Sequence, residues 1–211
     1  MNIPFKIYCS NCIQQYNNCL YPNEIDVIDA ESLKKAVSHD YVCVKYKDNY
    51  RSIDNLISSN CVGVDFDNDH SNNPDDWVTS TSINEMFSGV PYLVHYSKSH
   101  MKPKVEKVKT EYGPRPRFHI IFLIDEIGNA DEYKAIKERL YAYCPLIDPN
   151  AKDSARFQAG TTEPLVAYHE GNITLNKFLD DVYSEKAFSE LGKLYQKAQE
   201  MLRCTRLLVL Y

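Results

Sequence analysis

Apolar and polar positions change period along the chain, and the changes mark its elements. Residues 30–38 carry a helical pattern, 41–46 alternate as a strand does, and a short helix is expected around 53–58. These make the first sixty residues a small α/β portion. From residue 60 the pattern sharpens. Cys61-Val-Gly-Val-Asp-Phe66 has the composition of a buried strand and runs into an acidic loop, 67–76, followed by a helix near 83–87. Residues 90–96 read as a second strand and 117–124 as a third, rich in β-forming side chains. Residues 131–143 predict an amphipathic helix with Tyr133, Ile136, Leu140 and Tyr141 on its apolar side. The order strand, helix, strand, long loop, strand, helix predicts a layered sheet with helices on one side, so the fold class is α/β in the broad sense (α+β). Helical spacing returns after Gly171 in Phe178, Leu179 and Val182, and again in Phe188, Leu191, Leu194, Tyr195, Ala198 and Met201. The apolar stretch 207–211 is unusual for a free terminus, and the natural protein is expected to continue beyond it. There is no internal repeat and no low-complexity stretch.

Composition narrows the class. The chain has 211 residues, 44% of them hydrophobic and 12% aromatic, enough to bury the core of one large or two small subdomains and too much for a disordered tail. No run reaches the roughly 18 apolar residues of a membrane span, and residues 1–10 lack the layout of a signal peptide. A cytoplasmic protein with no membrane partner is expected. Its seven cysteines are then mostly free thiols. Cys9 and Cys12 form a C-x-x-C pair, but a structural zinc site usually shows two close pairs, so scattered buried thiols are the plainer reading. The formal charge of −5 argues against a protein that coats nucleic acid through a generally basic surface.

Local charge changes that picture. Between Lys98 and Arg117 seven basic residues, Lys98, Lys102, Lys104, Lys107, Lys109, Arg115 and Arg117, stand against two acids, so this segment is +5 and the rest of the chain −10. It also holds Pro103, Gly113, Pro114 and Pro116, which makes it a loop or hairpin able to follow a phosphate backbone. Lys45, Lys47 and Arg51 form a second, smaller group; a solvated strand face is their plainer reading.

Three further signals concern chemistry. Asp65 and Asp67 end an apolar strand two residues apart, so both leave the same face with Cα atoms about 6.6 Å apart, from a rise of roughly 3.3 Å per residue. Such a pair can share hard divalent cations, with Asp69 a further acid nearby. Arg117 and His119 fall on one face of the third strand and together suit a triphosphate. Asp148 follows apolar Ile147 and can complete a metal site begun on another strand, while Arg156 is a candidate anion contact. Each signal taken alone also has a structural reading, as a turn, a cap or a satisfied core histidine.

The three in this order resemble the archaeo-eukaryotic primase (primase-polymerase) superfamily, in the versions found beside helicases in phages, plasmids and mobile elements of bacteria. The first family motif, an apolar strand ending in D-x-D, matches Asp65 and Asp67. The second, a small residue, any residue and His, matches at His119 and departs at Arg117. The third, an apolar residue then Asp, matches Ile147-Asp148, with Asp153 as the alternative third acid. Tyr96-Ser97-Lys98-Ser99-His100 is similar to the tyrosine and serine/histidine segment before the second motif. The stretch from Asp148 to Arg156-Phe157 is similar to the family's Asp-to-Arg-Phe stretch. The resemblance covers about 60–160 and only loosely the first sixty residues.

The resemblance implies an N-terminal α/β module over 1–59, an RRM-like catalytic core over 60–175 and a C-terminal helical segment over 176–211. Asp65, Asp67 and Asp148 would hold two Mg²⁺ or Mn²⁺ ions, one activating a 3′-hydroxyl and the other steadying the leaving pyrophosphate. His119, Arg117 and Arg156 would bind an incoming NTP or dNTP, with Ser97, Lys98, Ser99 and His100 as further candidates. Lys45, Lys47 and Arg51, with Lys102, Lys104, Lys107, Lys109 and Arg115, would hold a single-stranded DNA template, and a replicative helicase becomes a candidate partner. The rivals are a metal-dependent nuclease or rolling-circle initiator and a non-catalytic RRM-like nucleic-acid-binding module. The initiator needs a His-x-His strand, whereas His95 and His100 are five apart and His119 stands alone. The binding module needs aromatics rather than carboxylates on its strand faces.

Overall fold

The computed structural model describes residues 3–105, 111–148 and 153–183. By its internal contacts the chain divides into two units, 1–176 and 177–211. The first opens with β1 (Phe5–Cys9), β2 (Asn23–Val27), helix α1 (Ala30–Val37), β3 (Tyr41–Val42) and β4 (Lys45–Tyr46). The long β5 (Leu56–Phe66), α2 (Ser80–Met86), β6 (Tyr92–Tyr96), the small pair β7 (Lys104–Val105) and β8 (Glu111–Tyr112), β9 (Phe118–Ile127), α3 (Ala130–Tyr143) and β10 (Val166–His169) follow. Helix α4 (Leu175–Val182) crosses from the first unit into the second, where Tyr183 N–H bonds the Leu179 carbonyl. The helical positions expected from Phe188 to Met201 and the apolar stretch 207–211 lie outside the described residues.

The helices start where side chains satisfy their first N–H groups. Asp29 caps α1 in a capping box with Ser32, Thr79 caps α2 in another with Ser82, and Asn129 accepts from Glu132 N–H at the start of α3.

The main sheet has the order β10-β6-β9-β5-β4, with every neighbouring pair antiparallel, and is a mixed α+β layer. From β5 to β10 the chain follows a strand–helix–strand, strand–helix–strand path. Alternation gives the sheet two apolar faces. On one, Phe122 meets Phe87 just past α2, and Phe87 meets Tyr143 of α3, with ring centroids 4.5 and 5.2 Å apart. On the other, Cys61, Leu93, Ile121 and Leu123 share one core cluster with Phe5 and Ile7 of β1, Leu33 and Val37 of α1, and Tyr41 and Cys43. The N-terminal sheet, of order β2-β1-β3, covers that second face.

Three local expectations change. The single strand at 41–46 is two short strands, because the chain passes from one sheet to the other: β3 pairs with β1 and β4 with β5. The helix at 53–58 is one 3-10 turn, Ile53–Asn55, after which β5 begins at Leu56. Ile53 and Ile57 have helical spacing but both are exposed, so no apolar face holds a helix there. Strands β1, β2 and β10 are additional to those the pattern predicts.

One buried carboxylate fastens the loops beside the sheet. Asp40, wholly buried, accepts from the N–H groups of Gln14 (2.7 Å), Gln15 (2.8 Å) and Gly160 (2.9 Å). Gly160 must lack a side chain, since a Cβ would lie 2.3 Å from the His39 carbonyl carbon. Replacing Asp40 by Ala strands three inward-pointing donors, and Asp40→Ala is expected to cost about 2–5 kcal/mol of unfolding free energy, measurable by urea titration.

Candidate active site

Strand register puts the sequence's chemical residues in one row. Asp65 on β5 lies directly opposite His119 on β9, and His119 lies opposite His95 on β6, so the three side chains share one sheet face. This is the face that the N-terminal sheet covers. Two residues further along each strand the row is Gly63, Ile121 and Leu93, so the polar row caps an apolar stack.

The Asp65 carboxylate is 6% exposed and held by two partners: Oδ1 bonds His119 Nδ1 at 2.5 Å and Oδ2 bonds the Arg156 guanidinium at 3.1 Å. Burial alone would raise its pKa; His119 and Arg156 outweigh that and hold it well below the usual carboxylate range. An ionised carboxylate only accepts, so His119 Nδ1 carries the proton of their bond, and Nε2 is the nitrogen not spent on Asp65.

The other acids reach the same strand end by different means. Asp148 N–H donates to the Asp65 carbonyl at 2.9 Å, and the Asp148 carbonyl accepts from Tyr141 Oη at 2.8 Å, which ties the third motif to the first through the main chain. Asp67 follows β5 by one residue and is half-buried. Asp69 forms ion pairs with Arg117 at 3.2 Å and Arg115 at 3.7 Å. Asp153, the alternative third acid, is exposed and closes a local turn on Ala155 N–H.

Arg156 arrives on a strap that crosses the row. Tyr46 Oη donates to the Ser154 carbonyl, Arg51 Nη1 to the Ala155 carbonyl at 2.7 Å, and Gln158 pairs its backbone with Tyr41. Gly160 sits on Asp40, and Thr161 Oγ1 bonds His95 Nε2 at 3.0 Å. The fixed backbone on either side sets where Arg156 can reach.

Lys137 of α3 was not among the expected site residues. It is 1% exposed, and burial pushes its ammonium down to about 8 against the opposing pull of Asp65 and Asp153. Cys9 is also buried, with Sγ donating to the Ala36 carbonyl at 3.1 Å, and burial pushes its thiol up to about 12, away from the thiolate that a metal would need.

The basic residues separate. Arg115 and Arg117 are each 1% exposed. Arg115 bonds the carbonyls of Asn68 and Ser71 and the Asn72 side chain, and stacks on Tyr112. Arg117 bonds the carbonyls of Ser99 and Lys102 as well as Asp69. Both guanidinium groups thus fasten the acidic loop to the segment before β9. Arg51 is turned onto Ala155, Asn18 and the Phe157 ring, and Lys45 pairs with Glu24 at 3.1 Å. Lys47 and Lys102 are exposed, Lys104 begins β7, and Lys107 and Lys109 lie outside the described residues.

Ser97, Lys98, His100 and Lys102 do come together, with Gln14 and Thr161, around a cavity of about 320 Å³. That is the lower end of the roughly 300–1,000 Å³ range of small-molecule pockets. Lys98 Nζ donates to Gln14 Oε1 at 2.5 Å, and Ser97 Oγ accepts from Ser99 N–H. Arg117 N–H donates to His100 Nδ1, and burial pushes the His100 imidazole below its ordinary range.

No protein-family model matches this chain, and no curated protein matches it. Among solved structures it is similar to "Cyanophage S-2L Primase-Polymerase (PrimPol), AEP domain", at 8% identity and a TM-score of 0.43, over 85% of this chain and 89% of that one. The site described here stands on its own geometry.

Whether the acids suit a divalent metal turns on donor type and placement. Carboxylate oxygens are the ligands that Mg²⁺ and Mn²⁺ select, and Asp65, Asp67 and Asp148 share one strand end. Among the described residues no three His, Cys, Asp or Glu side chains form a ready-made metal cluster, and each Asp65 oxygen already holds a nitrogen. The donors fit, and Arg156 is the group that a cation on Asp65 Oδ2 would displace. No helix among the described residues is long and apolar enough to cross a membrane.

Buried His95 gives the site a pH signature. Burial, then the nearby His119, pushes its pKa well below the ordinary value of about 6.5, whereas the unfolded chain protonates near that value. The unfolded state therefore takes up a proton that the folded state refuses, and stability falls as pH drops below about 6.5. Urea unfolding at pH 7.5 and pH 5 is expected to show a smaller loss for His95→Gln than for the wild type.

Proposed function

We propose that the chain is a template-directed nucleotidyltransferase, a primase or polymerase, that joins NTPs or dNTPs on single-stranded DNA during replication of phage, plasmid or mobile DNA. The observation that carries this reading is the gathering of Asp65, His119, Arg156 and the Asp148 backbone at the end of one buried strand. The ordered motifs described above support it. In this reading the 60–175 region supplies the chemistry, the 1–59 module covers one sheet face, and 176–211 is appended to them.

Asp65, Asp67 and Asp148 would hold Mg²⁺ or Mn²⁺, which when bound supplies charge stabilisation for phosphoryl transfer. Arg156, 40% exposed at its side chain, can exchange the Asp65 carboxylate for a phosphate oxygen, because both are anionic oxygens that accept from the guanidinium fork. His119 keeps its ring plane through its Nδ1–H bond to Asp65, and in the doubly protonated form its Nε2–H donates to the same ligand. Ser97, Lys98 and His100 line the adjoining cavity with donors of the kind that suit a phosphate chain. Arg115 and Arg117 act from beneath, by holding the 67–76 loop and with it Asp67. The exposed Lys47 and Lys102 serve the template strand.

The test is synthesis on primed and unprimed single-stranded DNA with Mn²⁺ and nucleotides. The wild-type protein is expected to lengthen or initiate chains, and Asp67→Ala to reduce this by a factor of about 10²–10³, as loss of a transition-state charge contact does. Unchanged synthesis in Asp67→Ala rejects the metal assignment. Shortening of the template without added nucleotides replaces the reading by a nuclease.

A further inference from the structure

The polar row does not stop at His119. His95 is wholly buried, yet both of its ring nitrogens are bonded: Nδ1 to Tyr41 Oη at 3.1 Å and Nε2 to Thr161 Oγ1 at 3.0 Å. Its ring lies 5.3 Å from that of His119. A hydrophobic side chain would fill this place without needing two partners, so the bonds and their direction call for a reason.

The direction follows from acidity. Burial keeps the Tyr41 phenol protonated, its pKa held well above the ordinary value, and His95 neutral. A neutral imidazole donates from one nitrogen and accepts at the other. Of the two hydroxyls, the phenol is the stronger donor and the poorer acceptor, so Tyr41 O–H donates to Nδ1. The ring proton then sits on Nε2 and goes to Thr161 Oγ1. Thr161 therefore accepts from the protein and keeps its own O–H for another acceptor. Thr161 lies in the wall of the 320 Å³ cavity, beside Ser97, Lys98 and His100. With the opposite tautomer the threonine proton would be spent on His95, and the cavity would meet oxygen lone pairs instead.

We propose that Tyr41, His95 and Thr161 form a one-way hydrogen-bond relay that presents the Thr161 hydroxyl as a donor to a phosphate oxygen of a nucleotide in this cavity, with His95 the positioning residue. The proposal rests on the nucleotide-binding reading given above. It adds a ligand contact that none of the three acidic or histidine motifs contains, and it explains why a polar pair is kept beneath the strap. Asp40 supports the relay, because the same carboxylate oxygen that accepts from Gly160 N–H, next to Thr161, also accepts from Gln14 N–H, and Gln14 is another residue of the cavity wall.

Two measurements test it. Long-range ¹H–¹⁵N NMR of the wild-type protein reads which nitrogen of His95 carries hydrogen, and Nε2–H is expected; a proton on Nδ1 overturns the relay without any variant being made. Equilibrium titration with fluorescently labelled ATP in Mg²⁺ then compares variants of nearly constant shape. Thr161→Val and Tyr41→Phe are expected to weaken binding about tenfold or more, the loss of one hydrogen bond to a charged group, while Thr161→Ser retains it. Wild-type affinity in Thr161→Val or in Tyr41→Phe overturns the relay and leaves the nucleotide reading standing. A wild-type protein that binds no nucleotide overturns that reading and the relay with it.

Discussion

The Asp65 carboxylate lies at the end of a strand whose preceding residues are apolar and buried, and a charge in such a place persists only among partners that reach it. His119 reaches it from the next strand and Arg156 from the strap. Each of those partners is itself placed by something else. The β5–β9 register puts His119 opposite Asp65, and the backbone pairing of Gln158 with Tyr41 sets the strap that delivers Arg156. One buried charge thus fixes the relative placement of segments more than ninety residues apart in the chain, since Asp65 and Arg156 are separated by 91 positions.

Asp40 plays the complementary part for the backbone. It is wholly buried, and it is held by main-chain N–H groups rather than by a cation, so its geometry does not depend on which side chains positions 14 and 15 carry, whereas position 160 must carry none. The close passage of Gly160 over the His39 carbonyl belongs to the same arrangement. Two acids, one satisfied by side chains and one by backbone, hold the strap at its ends: the first where a ligand can compete for the arginine, the second where nothing competes.

The apolar strand ending in Asp65 and Asp67, the strand through His119 and helix α3 were legible, because long periodic runs and a D-x-D at a strand end are local signals. The row Asp65, His119, His95 was not, since it depends on which strands are neighbours and in what register, which no window of sequence contains. The two arginines before β9 illustrate the reverse problem. Arg115 and Arg117 counted as surface cations in a basic segment, but their guanidinium groups meet the carbonyls and acids of a loop some forty residues earlier. Charge along a chain carries no information about where each charge finds its partner. Strand β2 was hidden because only Ile25 and Val27 of its five residues are turned from solvent, an alternation too short to stand out, and β10 because its four residues are all half-buried.

The burial of those two arginines has a further consequence. Attraction between a protein and a polyanion grows with the number of cations that come to rest on phosphates, because each displaces a condensed counterion into bulk solution. Guanidinium groups already neutralised inside the fold displace none. A polyanion meeting this face therefore gains less from ion release than seven basic residues in twenty positions suggest. Its hold on the protein would weaken correspondingly little as ionic strength rises.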